Sequence, residues 1–266
     1  MLAAVLASGF LSSCGASPAD TFTGYTAEII RDDFGIPHIY GTTDADAVYG
    51  MIYAQAEDDF PRIERNYIWA TGRLAEVEGE AALFSDLRAR LYMSLAEAKA
   101  AYASAPDELK ALCEAWAAGL NDYLADYPEV TPRLLTRFEP WMPMFFSEGW
   151  IGGDIEQIPL AGIRAFYGGD ISAAPTLSEA EEAKLFLEEP KGSNGIALSG
   201  DLTESGNALL LINPHTSFYF RPEIHVVSEE GLNAYGAVTW GQFFVCLLYT
   251  SPSPRDATLS RMPSSA

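Results

Sequence analysis

In the run Lys191-Gly192-Ser193-Asn194-Gly195, a serine stands directly behind a glycine. A serine hydroxyl attacks an acyl group only when a base takes its proton. The G-x-S-x-G elbow that exposes an internal nucleophile is not formed around this serine, because Lys191-Gly192 precede it and Asn194-Gly195 follow it. A different base appears if the chain is cut between Gly192 and Ser193. The new α-amino group of Ser193 has a reference pKa of about 8, so a useful fraction is neutral at working pH and can serve its own hydroxyl. Glycine before the cut suits that chemistry, since a residue without a Cβ lets the backbone bend until the hydroxyl meets the preceding carbonyl.

Around this stretch the sequence changes character. Residues 175–189, with the run S-E-A-E-E-A-K-L-F-L-E-E, read as an acidic helix, and 132–169 are rich in Pro, Gly and aromatics. After Ser193 come strand-like segments at Gly195 to Leu198, Ala208 to Ile212, Glu223 to Val227 and Leu232 to Val238, separated by turn residues. Near the other end, residues 25–41 predict two short strands broken at Asp33-Phe34-Gly35. From Asp44, read as the N-cap, apolar residues recur at helical spacing through Val48, Ile52 and Ala56, with Pro61 ending or kinking the helix. A second helix runs through Ile68 to Leu74 and stops near Gly79, and further helices are expected at about 84–103 and 106–126, Pro106 holding a first-turn position. Helices first and an antiparallel sheet afterwards predict an α+β fold.

Composition bounds the function. The chain has 266 residues, 48% of them apolar, enough for a sizeable core. Its formal charge of −21 repels a phosphate backbone, so nucleic acid is excluded as a partner. Three cysteines, Cys14, Cys113 and Cys246, build no disulfide framework and match no zinc spacing. Residues 1–20 are an apolar run ending in small residues, too short to span a membrane, and read as an export signal. Leu11-Ser12-Ser13-Cys14 resembles a bacterial lipobox, which would make Cys14 a lipidation site and give the protein a lipid anchor; an ordinary cleaved signal is the other reading. From about Cys246 the sequence loses its periodicity and turns Ser-, Pro- and Arg-rich, so 246–266 read as adapter or vector sequence outside the fold.

Several separated motifs arrive in a familiar order. They are Arg31-Asp32 with Gly35-Ile36-Pro37-His38-Ile39, the G-x-x-x-A-Q-A-E-D stretch from Gly50 to Asp58, and Gly72-Arg73-Leu74-Ala75-Glu76. Gly192-Ser193-Asn194 follows, then Asn207, the L-L-L-I run, Asn213-Pro214-His215 and Gly236-Ala237. Over residues 25–245 the chain resembles the penicillin acylases and acyl-homoserine-lactone acylases of the N-terminal-nucleophile (Ntn) hydrolases.

The resemblance implies an αββα Ntn sandwich, here incomplete, with a first-subunit region at 21–170, a spacer at 171–192 and the start of a second subunit at 193–245. It implies a self-cleaving amide hydrolase acting on an N-acyl small molecule, such as a β-lactam side chain or an N-acyl-homoserine lactone. Gly192 and Ser193 would be the cleavage site and Ser193 the nucleophile. Asn194 would position the new terminus, or else only turn the chain. His215, 22 residues after Ser193, would orient the serine hydroxyl or amine, while His38 belongs to the scaffold. His225, in an alternating strand, is expected to face solvent. A structural calcium, with Glu156 as one carboxylate ligand, is implied as well; no cofactor serves catalysis. The protein's own second subunit is a partner, and the location is exported, either periplasmic or membrane-anchored. Phe146, Phe218 and Tyr219 are candidates for the acyl pocket, and Thr216 stands where many relatives carry a bulkier side chain. The family's oxyanion donors lie beyond Val245, so this chain alone is expected to be inactive although it carries the nucleophile. Two readings stay open beside this one: a non-catalytic exported binding module, and a hydrolase using an uncut Ser193 with His215 and a carboxylate.

Overall fold

The computed structural model describes residues 24–145, 158–168, 193–214, 222–245 and 247–248, with the backbone alone at 193, 212–214 and 247–248. Seven strands and six α-helices follow one another among them. These are β1 (Ala27–Arg31), β2 (Pro37–Gly41), α1 (Asp44–Ala70), α2 (Ala75–Glu78), α3 (Leu83–Ala89), α4 (Leu95–Ser104), α5 (Asp107–Asp126), α6 (Leu160–Gly168), β3 (Ser193–Leu198), β4 (Leu209–Pro214), β5 (Glu223–Ser228), β6 (Asn233–Ala237) and β7 (Leu247–Leu248). The fold is α+β, as the segment order predicts. No described helix is long and apolar enough to cross a membrane.

The long helix α1 organises the rest. Thr43, not Asp44, caps it: the Thr43 hydroxyl accepts the Asp46 N–H while the Asp46 carboxylate accepts the Thr43 N–H, a reciprocal capping box. Asp46 also accepts the Thr26 N–H and so ties the first strand to the helix start. The expected break near Pro61 falls two residues earlier, where Asp59 leaves helical geometry (φ −156°, ψ 64°). Asp59 then accepts the Arg62 N–H and recaps the helix, which puts Pro61 in a first turn where its missing N–H costs nothing.

One face of α1, carrying Ala47, Val48, Met51 and Ile52, is buried. It packs on β2 and β5, and α5 lies along it. Gly119 makes the α1–α5 approach feasible: a Cβ there would stand 2.4 Å from Ile52 Cγ2 and 2.8 Å from the Tyr49 carbonyl oxygen. Tyr49 and Tyr53 of α1 donate to Asp122 and Asp126 of α5 at 3.1 and 2.9 Å. Between the helices, the Tyr67 and Trp116 rings meet at 4.8 Å and Phe138 stands edge-on to both. Two buried carboxylates are satisfied by backbone. Glu64 accepts the N–H groups of Arg133, Leu134 and Leu135, and Asp86 those of Leu74 and Ala75.

The sheet departs from the all-antiparallel expectation. Its order is β1-β2-β5-β6-β7, and β2 and β5 pair in parallel, His38 opposite His225. A parallel neighbour needs a long connection, and here the first and second sequence regions each supply strands to one sheet. Strands β3 and β4 form a separate antiparallel ladder. The single helix expected at 84–103 is two, α3 and α4, because Ser94 opens a new helix with its own capping box to Glu97. β7 stands inside the segment read as lying outside the fold, and pairs with Gly236 and Ala237.

Candidate active site

Ser193 is the first residue of β3. Six residues of β3 pair with six of β4, from Ser193 opposite Pro214 to Leu198 opposite Leu209. The connection is tightened by Ser199, whose side chain caps the short turn Gly200–Leu202, and by Thr203, whose hydroxyl donates to the carbonyls of Gly200 and Asn207. The pair Ser193–Pro214 is the outermost of the described ladder. The next residue after Pro214 is His215, which lies outside the described residues.

Asn194, opposite Asn213, is exposed. On one face of the ladder Ile196 and Leu198 oppose Leu211 and Leu209, with 39–52% of each side chain's surface exposed. Of the expected site residues, the structure therefore places Ser193 and Asn194 side by side at the start of β3. Gly192, Glu156 and Cys14 lie outside the described residues, as do Phe146, Thr216, Phe218 and Tyr219.

Of the motifs upstream of the serine, Arg31-Asp32 braces the first region and the A-Q-A-E-D stretch ties that region to the second. Arg31 of the Arg31-Asp32 pair reaches α1, donating to the Ala54 carbonyl and pairing with Glu57 and Asp58 at 3.0 Å each. Asp32 folds the β1–β2 turn by accepting the N–H groups of Phe34 and Ile36. Partial desolvation pushes its carboxyl upward, but those two amides and His38 outweigh it, and the group sits below the usual carboxylate range.

Gln55, in the same A-Q-A-E-D stretch and 1% exposed, binds the turn after β6: its Oε1 accepts the Gly241 N–H and its Nε2 donates to the Gln242 carbonyl, both at 2.9 Å. Tyr67 and Trp116 both donate to the Gly241 carbonyl, at 2.9 and 2.8 Å, and Asn66 donates to the Trp240 carbonyl. Gly241 has φ +91°, and a Cβ there would meet the Tyr67 ring at 2.8 Å, so only glycine fits beneath that clamp. The sequence singles out the stretch that carries Gln55, but its partner is 186 residues away and nothing local signals it.

His225 lies on the half-exposed face of β5, as the alternation suggests, and there its Nδ1 lies 2.9 Å from Nδ1 of His38 and its Nε2 2.9 Å from Oδ1 of Asn233. Among the described residues no group of three or more His, Cys, Asp or Glu is arranged to hold a metal ion.

Comparison with known proteins now bears on this arrangement. The chain is 25% identical over 243 residues to the acyl-homoserine lactone acylase PvdQ of Pseudomonas fluorescens, which covers 81% of this chain and 30% of that protein. It is 33% identical over 117 residues to the acyl-homoserine lactone acylase QuiP of Pseudomonas putida, covering 42% of this chain and 14% of that protein. Among solved structures, the thermostable penicillin G acylase from Alcaligenes faecalis superposes with a TM-score of 0.43 at 19% identity, covering 61% of this chain and 92% of that one. The chain thus spans about a third of the length of the curated acylases it matches most fully. The family model for penicillin amidase matches residues 26–249, the stretch that contains both the Ser193 ladder and the α1 clamp, and the chain belongs to the penicillin amidase family.

Proposed function

We propose that the protein carrying this sequence is a self-cleaving amide hydrolase whose nucleophile is Ser193. The supporting observation is that Ser193 opens β3 in register with Pro214, the residue before His215 in the sequence, in a chain of the penicillin amidase family. In the maturation step the Ser193 hydroxyl attacks the Gly192 carbonyl carbon, the C–N bond breaks in favour of an ester, and water hydrolyses that ester. Gly192 is left as a carboxylate and Ser193 with a free α-amine.

In turnover the α-amine accepts the hydroxyl proton as the oxygen attacks a substrate amide carbonyl. The tetrahedral oxyanion collapses, the departing amine takes that proton, and an acyl-serine ester remains for water to hydrolyse to the carboxylic acid. His215 orients the hydroxyl or the amine, and Asn194 holds the new terminus. Backbone and side-chain donors for the oxyanion belong to the rest of the protein; loss of one such donor typically costs 10²–10³-fold in rate.

The substrate class is an N-acyl amide, with N-acyl-homoserine lactones and acylated β-lactams as its two candidates. The export signal over residues 1–20, lipidation at Cys14, export to the periplasm or its membrane face and a structural calcium at Glu156 are parts of the same proposal. No step of the reaction is routed through the calcium. Edman or mass-spectrometric sequencing of the full-length product tests the reading: two pieces are expected, the second opening Ser-Asn-Gly. An active enzyme whose 192–193 bond is intact would overturn it.

A further inference from the structure

We infer that His38 and His225 form a proton-operated clasp between the sequence regions on either side of residue 192, opening when both rings are charged. The clasp does not depend on the 192–193 bond being cut. It closes the parallel β2–β5 ladder, the ladder in which a strand from before Ser193 meets one from after it. The two rings stand nearly perpendicular, centroids 5.1 Å apart, with Nδ1 facing Nδ1 at 2.9 Å. Such a contact is a hydrogen bond only if one of the two nitrogens carries a proton and the other does not.

Neighbouring groups decide which. The Asn233 amide oxygen faces His225 Nε2, so His225 keeps its proton there and offers Nδ1 as acceptor. His38 therefore donates from Nδ1, and its Nε2 faces the Asp32 carboxylate at 3.6 Å. A proton on His38 Nε2, beside Asp32, leaves the clasp intact. A second has only His225 Nδ1 to occupy, which sets two N–H groups and two positive charges against each other. The bond then becomes a repulsion.

The other groups on this face do not prevent that. Tyr40 and Tyr235 present ring edges to His225 at centroid distances of 6.2 and 5.9 Å. Glu28, opposite Tyr40 on β1, and Glu223, two residues before His225 on β5, share the face further along the strands. The charged partners of Arg31 lie on α1, at Glu57 and Asp58. The remaining bridges between the regions, such as Gln55 to Gly241, Asn66 to Trp240 and Ser228 to Asp44, contain no histidine, the side chain whose ordinary pKa lies between pH 5 and 8.

Hydrogen–deuterium exchange of the intact full-length protein tests the clasp. After correction for intrinsic exchange, protection of peptides covering 37–41 and 223–228 is expected to fall about tenfold between pH 7 and pH 5, the size of one hydrogen bond to a charged group. Peptides from α5 should hold. His225→Gln, which offers an uncharged acceptor, should keep the ladder protected within about twofold at pH 5. Asn233→Asp, which favours the doubly protonated His225, should move the loss toward neutral pH. Unchanged wild-type protection overturns the clasp, as does equal loss in His225→Gln. If His225→Gln does not fold, an unmoved transition in Asn233→Asp overturns it as well.

Discussion

Replacing Gln55 by leucine would test whether the α1 clamp does what its geometry says. The side chains are close in volume, so packing changes little, but both hydrogen bonds to the 241–242 turn vanish. The Gly241 N–H and the Gln242 carbonyl would then be buried without partners, while the Gly241 carbonyl keeps Tyr67 and Trp116. A buried polar group stranded in this way costs about 1–3 kcal/mol, so the pair implies about 2–6 kcal/mol, a large part of the 5–15 kcal/mol that typically separates folded from unfolded chains. Urea titration should show the midpoint falling with an unchanged slope.

A second substitution separates the mechanism from general disruption. Gln55→Glu keeps the acceptor for the Gly241 N–H but turns a carboxylate oxygen toward the Gln242 carbonyl. Protonation restores a donor there, so the folded state binds the proton more tightly than the unfolded one. The variant should regain stability relative to wild type as pH falls from 7 toward 4. A leucine variant within about 0.5 kcal/mol of wild type, the range of an ordinary surface substitution, would refute the reasoning, and so would a glutamate variant whose deficit ignores pH.

Other consequences are equally specific. Gly119→Ala should destabilise the protein by about 1–3 kcal/mol through the clash with Ile52 and the Tyr49 carbonyl, although the same change in an open helix stabilises by about 1 kcal/mol; thermal melts decide the sign. Burial, with the Glu114 charge adding to it, pushes the Cys113 thiol up to about 11. The folded state thus holds the proton longer than the unfolded chain, and about 2–3 kcal/mol of stability, present below pH 9, should drain as pH rises toward 11. Cys113→Ala should flatten that alkaline slope. Desolvation pushes the Asp46 carboxyl up, but the Thr26 N–H and the Thr43 hydroxyl and N–H outweigh it, so the group titrates below its ordinary value. Asp46→Asn should cost about 1–2 kcal/mol at pH 7, and the difference from wild type should shrink as pH falls below the ordinary carboxylate range.

Much of this arrangement is legible in the sequence where the signal is local. Strand β1, the Asp33-Phe34-Gly35 turn, α5 behind Pro106 and the β5–β6 hairpin all follow from periodicity and turn residues within ten or so positions. Ser193 is proposed as the nucleophile because a glycine precedes it and because the surrounding motifs fall in order. Signals fail where the determining partner is remote. Nothing near His225 announces that it pairs with His38 across a parallel ladder, and alternation in E-I-H-V-V-S reads equally well as a solvent face. Thr43 displaces Asp44 as the N-cap because the reciprocal bond with Asp46 is a matter of geometry that both residue types could have supplied. Leu247–Leu248 pair with β6 although their composition reads as non-native, since a ladder needs only backbone groups in register.

The most direct measurement is the identity of the residue that begins the second polypeptide in active full-length protein. Mass spectrometry should find a free serine, Ser193, with Gly192 ending the first piece, and Ser193→Ala should stay a single inactive chain. Turnover by the uncut protein, or normal turnover after Ser193→Ala, would contradict the account at its root.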